Sequence, residues 1–137
     1  MGLDNYPEPY PCKVLESKGE LKIAYTEDRK IICEETNCPF KQNFSWIIGI
    51  FGTYCWIRGK VYEKYVENLG DFSLYEDMDR ERLEELHSKL TEVYGSGNDE
   101  EKIAASLKGE GEVFDLIRYL ETLLSIDGWD GELKAWY

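Results

Sequence analysis

The stretch from Phe44 to Leu69 constrains this chain more than any other. Its first part, Phe44 to Ile57, is the most apolar run in the sequence and is interrupted by Gly49 and Gly52. It is too short to cross a bilayer as a helix, which takes about 20 residues, and the glycines disfavour a regular helix. Trp46, Ile47, Ile48, Ile50, Phe51, Thr53 and Tyr54 suit a pleated surface, so the run is predicted to be a buried strand followed by a tight bend. Beyond Arg58-Gly59-Lys60, the residues Val61, Tyr62, Tyr65, Val66 and Leu69 recur at three- and four-residue spacing. That spacing predicts an amphipathic helix. Gly70 is its expected stop, because glycine enters the left-handed conformation without penalty.

On the N-terminal side, Pro7, Pro9 and Pro11 alternate and predict an extended lead-in that excludes a helix. Residues 12–35 read as a three-stranded meander with turns at 17–19 and 27–29. A tight second turn there sets Tyr25 opposite Ile31 and Ile23 opposite Cys33. On the C-terminal side, three helices are expected. One runs over about 79–94 with Asp77 or Asp79 as cap, one starts at Asn98 with Glu101 at capping-box spacing, and one spans about 112–126. The last is apolar on more than one side, which places it either centrally or in a subunit interface. Glu132 to Tyr137 reads as a final strand, and the run Gly131 to Tyr137 echoes Gly19 to Tyr25. The expected architecture is therefore a single α+β domain over 1–137. Its N-terminal antiparallel sheet is a meander, joined by the C-terminal strand, with about four helices packed on one side.

Charge is unevenly placed. The net charge of −12 divides into 9 Lys/Arg against 10 Asp/Glu over 1–70, and 7 against 18 over 71–137, or −1 and −11. Such a field repels nucleic acid and anionic membrane and suits a basic protein partner. It also fits a solvated helical surface with no partner at all. The first residues carry neither a basic start nor an apolar core of a secretory signal, and Tyr6 stands where a myristoylation motif needs Ser or Thr. A cytoplasmic protein is expected.

Candidate site residues are few. Arg58, Gly59 and Lys60 place two cations at a helix start, where unpaired N–H groups attract a small anion. They match neither the phosphate loop nor the dinucleotide fingerprint. Cys12, Cys33, Cys38 and Cys55 admit three readings: thiolate ligands of zinc, disulfides, or small buried core residues. Cys33 and Cys38 form a close pair next to Pro39, but a second close pair is missing. Trp129 and Trp136, near an acidic turn, are candidate contacts for a protein partner. Ser125, Asp127, Asp130 and Glu132 offer oxygen ligands but do not match an EF-hand loop. His87 is the only histidine, and its position beside an apolar stripe reads as a boundary residue with a carboxylate neighbour. No catalytic set emerges.

The opening Met1-Gly2-Leu3-Asp4-Asn5-Tyr6 resembles small uncharacterised proteins of archaea and archaeal viruses. The resemblance implies an intracellular setting and brings no activity with it. The expected function is a non-enzymatic, acidic protein-interaction module, plausible as a homodimer through the helix at 112–126. The alternative is a small-anion-binding or zinc-containing domain with its site near Cys55 to Lys60.

Overall fold

A computed structural model describes residues 2–40 and 54–137. Among these residues are three strands and five α-helices. The strands β1 (Asp4–Glu8), β2 (Met78–Asp79) and β3 (Glu132–Trp136) form one antiparallel sheet in the order β1-β3-β2. The class is α+β, and the C-terminal strand joins the sheet as its centre.

The sheet draws on other segments than the meander. Asp4 pairs with Trp136, Tyr6 with Lys134 and Glu8 with Glu132, while Met78 and Asp79 pair with Leu133 and Glu132. The proline lead-in is thus a strand up to Glu8. Pro11 instead opens a helix, α1 (Pro11–Ser17), because its fixed φ and missing N–H suit a first helical position. Of the expected meander, only the antiparallel bridge between Tyr25 and Ile31 forms. A 3-10 turn over Cys33–Glu35 follows it. The echo between Gly19–Tyr25 and Gly131–Tyr137 is therefore one of sequence only. The second copy gains a strand partner on each side, and the first finds none beyond that bridge.

Directly opposed residues of an antiparallel pair share a face. Asn5, Pro7, Met78, Leu133 and Ala135 line the inner face of the sheet, and Asp4, Tyr6, Glu8, Asp79, Glu132, Lys134 and Trp136 the outer. Helix α2 (Gly59–Glu67) packs on β1, and α3 (Arg80–Tyr94) packs on β2, β3 and α5 (Val113–Leu124). Helix α5 is the centre: Val113, Phe114, Leu116, Ile117, Tyr119, Leu120 and Leu123 are all buried within this chain. This corrects the expectation of a dimer through 112–126, because that apolar surface is already consumed. Helix α4 (Asp99–Leu107) is the opposite case. Asn98 and Glu101 complete the expected capping box, yet the helix buries no residue.

Two polar devices fasten the helices. The Arg80 guanidinium donates to the carbonyls of Leu124 (2.5 Å), Ile126 (3.2 Å) and Trp129 (2.6 Å). It satisfies acceptors that the end of α5 leaves open, where a cation is also favoured by the helix dipole. Glu63, buried on α2, accepts from the Leu74 N–H at 2.8 Å and from the Ser73 hydroxyl at 3.1 Å. Burial is the main cause that raises its pKa. Residues 71–76, between α2 and β2, are fixed in this way.

Of the apolar run 44–57, residues up to Thr53, including Gly49 and Gly52, lie outside the described residues. Its end is placed: Ile57 is fully buried and exchanges two backbone hydrogen bonds of 2.9 Å with Asn5. Helix α2 then starts at Gly59 directly beneath β1. A Cβ on Gly59 would stand 1.9 Å from Asn5 Oδ1 and 2.9 Å from Leu3 Cγ. Gly59→Ala should therefore destabilise the fold by about 1–3 kcal/mol through overpacking, although alanine is the better helix former. Chemical denaturation at constant m-value would measure it; an unchanged or raised midpoint would contradict this packing.

Candidate functional site

Two groups of side chains stand out once the fold is built: the outer face of the sheet and a cavity lined by all four cysteines.

On the outer face, period-two alternation sends Glu132, Lys134 and Trp136 of β3 to the same side as Tyr6 and Glu8 of β1. The Tyr6 ring stacks on Trp56 at 4.4 Å between centroids, and Trp56 meets Trp136 edge-on at 5.3 Å. Trp56 Nε1–H donates to Tyr10 Oη at 3.1 Å. These contacts make a continuous aromatic wall with Trp136 at its rim, 51% exposed. The other end of the face is acidic. Glu132 lies between Glu8 on one neighbouring strand and Asp79 on the other, a row of three carboxylates across the sheet. An open cleft of about 400 Å3 continues from it, lined by Asp77, Asp79, Glu81, Arg82, Glu85 and Glu132. Lys134 offsets part of this charge through Glu132 (3.3 Å) and Asp77 (3.4 Å), and its pKa is raised, first by the hydrogen bond to Glu132 and then by that to Asp77. Asp79 also caps α3 by accepting from the Arg82 N–H at 2.8 Å.

The second group comes from four separate places. Cys12 is in the first turn of α1, Cys33 opens the 3-10 turn, Cys38 follows it, and Cys55 precedes the Ile57 bridge. All four are buried thiols, none of them in a disulfide. They line one apolar cavity of about 10 Å3 with Tyr10, Pro11, Ile31 and Thr36. Burial, then Cys38 and Cys33, pushes the Cys12 thiol up to about 12. Cys55 is raised well above its usual value by burial first and then by the other three cysteines. Burial also raises Cys33, although the Tyr54 N–H donates to its sulfur and opposes the shift. Thiols held protonated in this way are poor nucleophiles. Among the described residues, no three or more His, Cys, Asp or Glu side chains are gathered in metal-holding geometry as they stand.

The remaining sequence candidates resolve differently. Arg58 and Lys60 are exposed, and Gly59 is buried between them. The Lys60 N–H donates to the Leu3 carbonyl at 3.1 Å and the Val61 N–H to the Arg58 carbonyl at 3.0 Å. Asn5 and Leu3 fill the space over the helix start, so it is closed by β1 rather than open to an anion. Trp129 is 1% exposed, and its Nε1–H donates to the Pro9 carbonyl at 2.8 Å. It is a core residue, which corrects its reading as a partner contact; the flanking Asp-Gly turns hide the fact that the chain folds its ring inward. His87 Nε2 lies 3.4 Å from Glu121 Oε2 without a well-formed hydrogen bond, the boundary arrangement expected. Asp127 pairs with Lys18 at 3.6 Å. The residues missed by sequence reading are Tyr6, Glu8 and Trp56. Their signal was the alternation of Tyr6 and Glu8 matching that of Glu132 and Trp136, which becomes legible only when the two strands are paired.

No family model matches the chain, and no match was found among curated proteins or solved structures. No helix among the described residues is long and apolar enough to cross a membrane.

The two tryptophans give a direct check. Trp129→Ala should cost about 3–5 kcal/mol as a buried large-to-small change, and Trp136→Ala about 1 kcal/mol or less. Equal losses in thermal or chemical denaturation would show that the two rings are not divided between core and rim in this way.

Proposed function

We propose that this protein is a non-enzymatic binding module that engages a basic protein segment on the outer face of its sheet. The observation that carries the reading is the carboxylate row Glu8–Glu132–Asp79, set in register across three strands. Like charges directly opposite one another weaken a sheet, and a Lys- or Arg-bearing segment laid across the row would relieve that repulsion. Trp136, half exposed at the end of the aromatic wall, adds a π face on which a guanidinium can stack. The acidic cleft beside α3 extends the same field, and the net charge of −12 steers a cationic partner towards the protein while repelling nucleic acid.

The test uses the full chain and a synthetic Arg-rich peptide, followed by tryptophan fluorescence. Binding should weaken by about tenfold or more from low to high salt. Glu132→Gln should bind several-fold more weakly while its melting temperature changes little, since the relieved repulsion offsets the lost pair with Lys134. Glu100→Gln, an equal charge change on the exposed start of α4, should leave binding near that of the parent. If both variants lose the same affinity, or neither does, the peptide is responding to net charge alone and the sheet face is not the site.

A further inference from the structure

We infer that Cys12, Cys33, Cys38 and Cys55 together hold one structural Zn2+ ion. This site is independent of the sheet face, and it lies where the chain has least burial to hold it. From Lys18 to Thr36 only Ile23, Cys33 and Thr36 are buried. This stretch has one isolated bridge and one 3-10 turn as its regular structure. Loops longer than about 12–15 residues without structure of their own are uncommon in compact domains and need a function or a fastening. Apart from Lys18, which donates to the Asp127 carbonyl at 2.9 Å and pairs with its carboxylate at 3.6 Å, the hydrogen bonds described for this stretch are local: Thr36 Oγ1 accepts from the Ala24 N–H at 3.1 Å and donates to the Ile32 carbonyl at 2.8 Å.

The cysteines bridge that gap. Cys38 and Cys55 belong to the main hydrophobic cluster of the protein, whereas Cys12 and Cys33 lie outside it. The chain's whole complement of cysteine, dispersed over more than forty positions, meets on the wall of a single small cavity. A four-coordinate ion there would tie α1 and the 3-10 turn to the core at one point. The donor set fits zinc: sulfur alone, four ligands, with no histidine or carboxylate among the cavity-lining residues. The Tyr54 backbone N–H already points at the Cys33 sulfur. Such bonds stabilise a thiolate and orient a ligand, the usual role of the shell outside a metal site. The cavity of about 10 Å3 has room for about one atom-sized guest. As they stand the side chains are not in ligating geometry, so closure onto the ion requires the thiols to turn inward over the cavity.

The reaction balances without an oxidant. Four S–H groups and one Zn2+ give four Zn–S bonds and four released protons, and the site passes from neutral to a charge of −2. The ion thereby reverses the local electrostatics. Burial and mutual repulsion oppose thiolates in its absence, and its own charge removes that opposition. Zinc affinity must then fall as pH is lowered, since protons compete for every ligand.

The experiment is metal analysis of the full chain purified without chelator, paired with Co2+ titration of the wild-type apoprotein in a non-thiol reductant. We expect about one zinc per chain, a tetrahedral thiolate Co2+ spectrum that Zn2+ displaces, and about four protons released per zinc. Zinc removal should lower the melting temperature, and restoring zinc should recover it. Cys33→Ser and Cys55→Ser should each bind Co2+ with an altered spectrum or at least about tenfold more weakly. The Co2+ titration of the wild type decides the matter even if both variants fail to fold. Less than about a tenth of an equivalent of zinc together with no thiolate spectrum would overturn the assignment. So would iron in place of zinc, or disulfides among the four cysteines in protein purified without reductant.

Discussion

Helix α5 sets the terms for everything else. A helix apolar around most of its circumference must be enclosed, and here the enclosure uses almost every other element. Leu83, Leu86 and Leu90 of α3 and Tyr62, Tyr65 and Val66 of α2 join it in the common core. Tyr119, fully buried, donates its hydroxyl to the Cys55 carbonyl at 2.5 Å and packs its ring against Phe40 at 5.2 Å. That one side chain links the helical half to the segment carrying the cysteines. At the other end, Arg80 gathers the loose carbonyls of the helix and the turn that follows it. The central helix is thus held by apolar burial along its length and by directed hydrogen bonds where its backbone would otherwise go unpaired.

Enclosing α5 also explains where the charge lies. Residues 71–137, which include α5 and α3 packed on it, carry −11 of the net −12. Glu63 is the buried carboxylate among the described residues; the others lie on the outer skin of the fold and in the cleft beside β2. The short strand β2 contributes through its brevity. Beyond its two residues, Asp77 Oδ1 accepts the Ala135 N–H at 2.9 Å and closes the open edge of β3 with a carboxylate. An edge blunted in this way resists strand addition. The aromatic wall of Tyr6, Trp56 and Trp136 meets the acidic row on the outer face of the sheet.

The N-terminal third is built on a different principle. Residues 18–36 bury little and make mainly local hydrogen bonds, so hydrophobic burial alone gives them a weak hold on the core. Four thiols, drawn from this region and from the core, line one cavity where the two meet. The sheet face and the cysteine cavity therefore belong to differently built parts of the fold, and the two proposals made on them stand independently.

Helices whose apolar spacing was long and regular were legible from the sequence. Helix α2, α3 with its Asp79 cap, the Asn98–Glu101 box of α4, α5 and the final strand all lie where periodicity and capping chemistry place them. Such signals are local, because side chains within one or two turns decide them. The composition of the sheet was not local. Residues 19–25 and 131–137 have nearly the same sequence, yet only the second holds a strand, because Asp4–Glu8 and Met78–Asp79 lie beside it to complete its hydrogen bonds. The same distinction governs the site. The sequence by itself determined four cysteines, a strongly acidic second half and a tryptophan-bearing C-terminus. Only the tertiary structure decided that the four sulfurs share one cavity, that Trp129 turns inward while Trp136 stays at the rim, and that Glu8, Glu132 and Asp79 stand in a row. Each of these depends on contacts between residues far apart in the chain, and such contacts are set by how elements pack rather than by their neighbours in sequence.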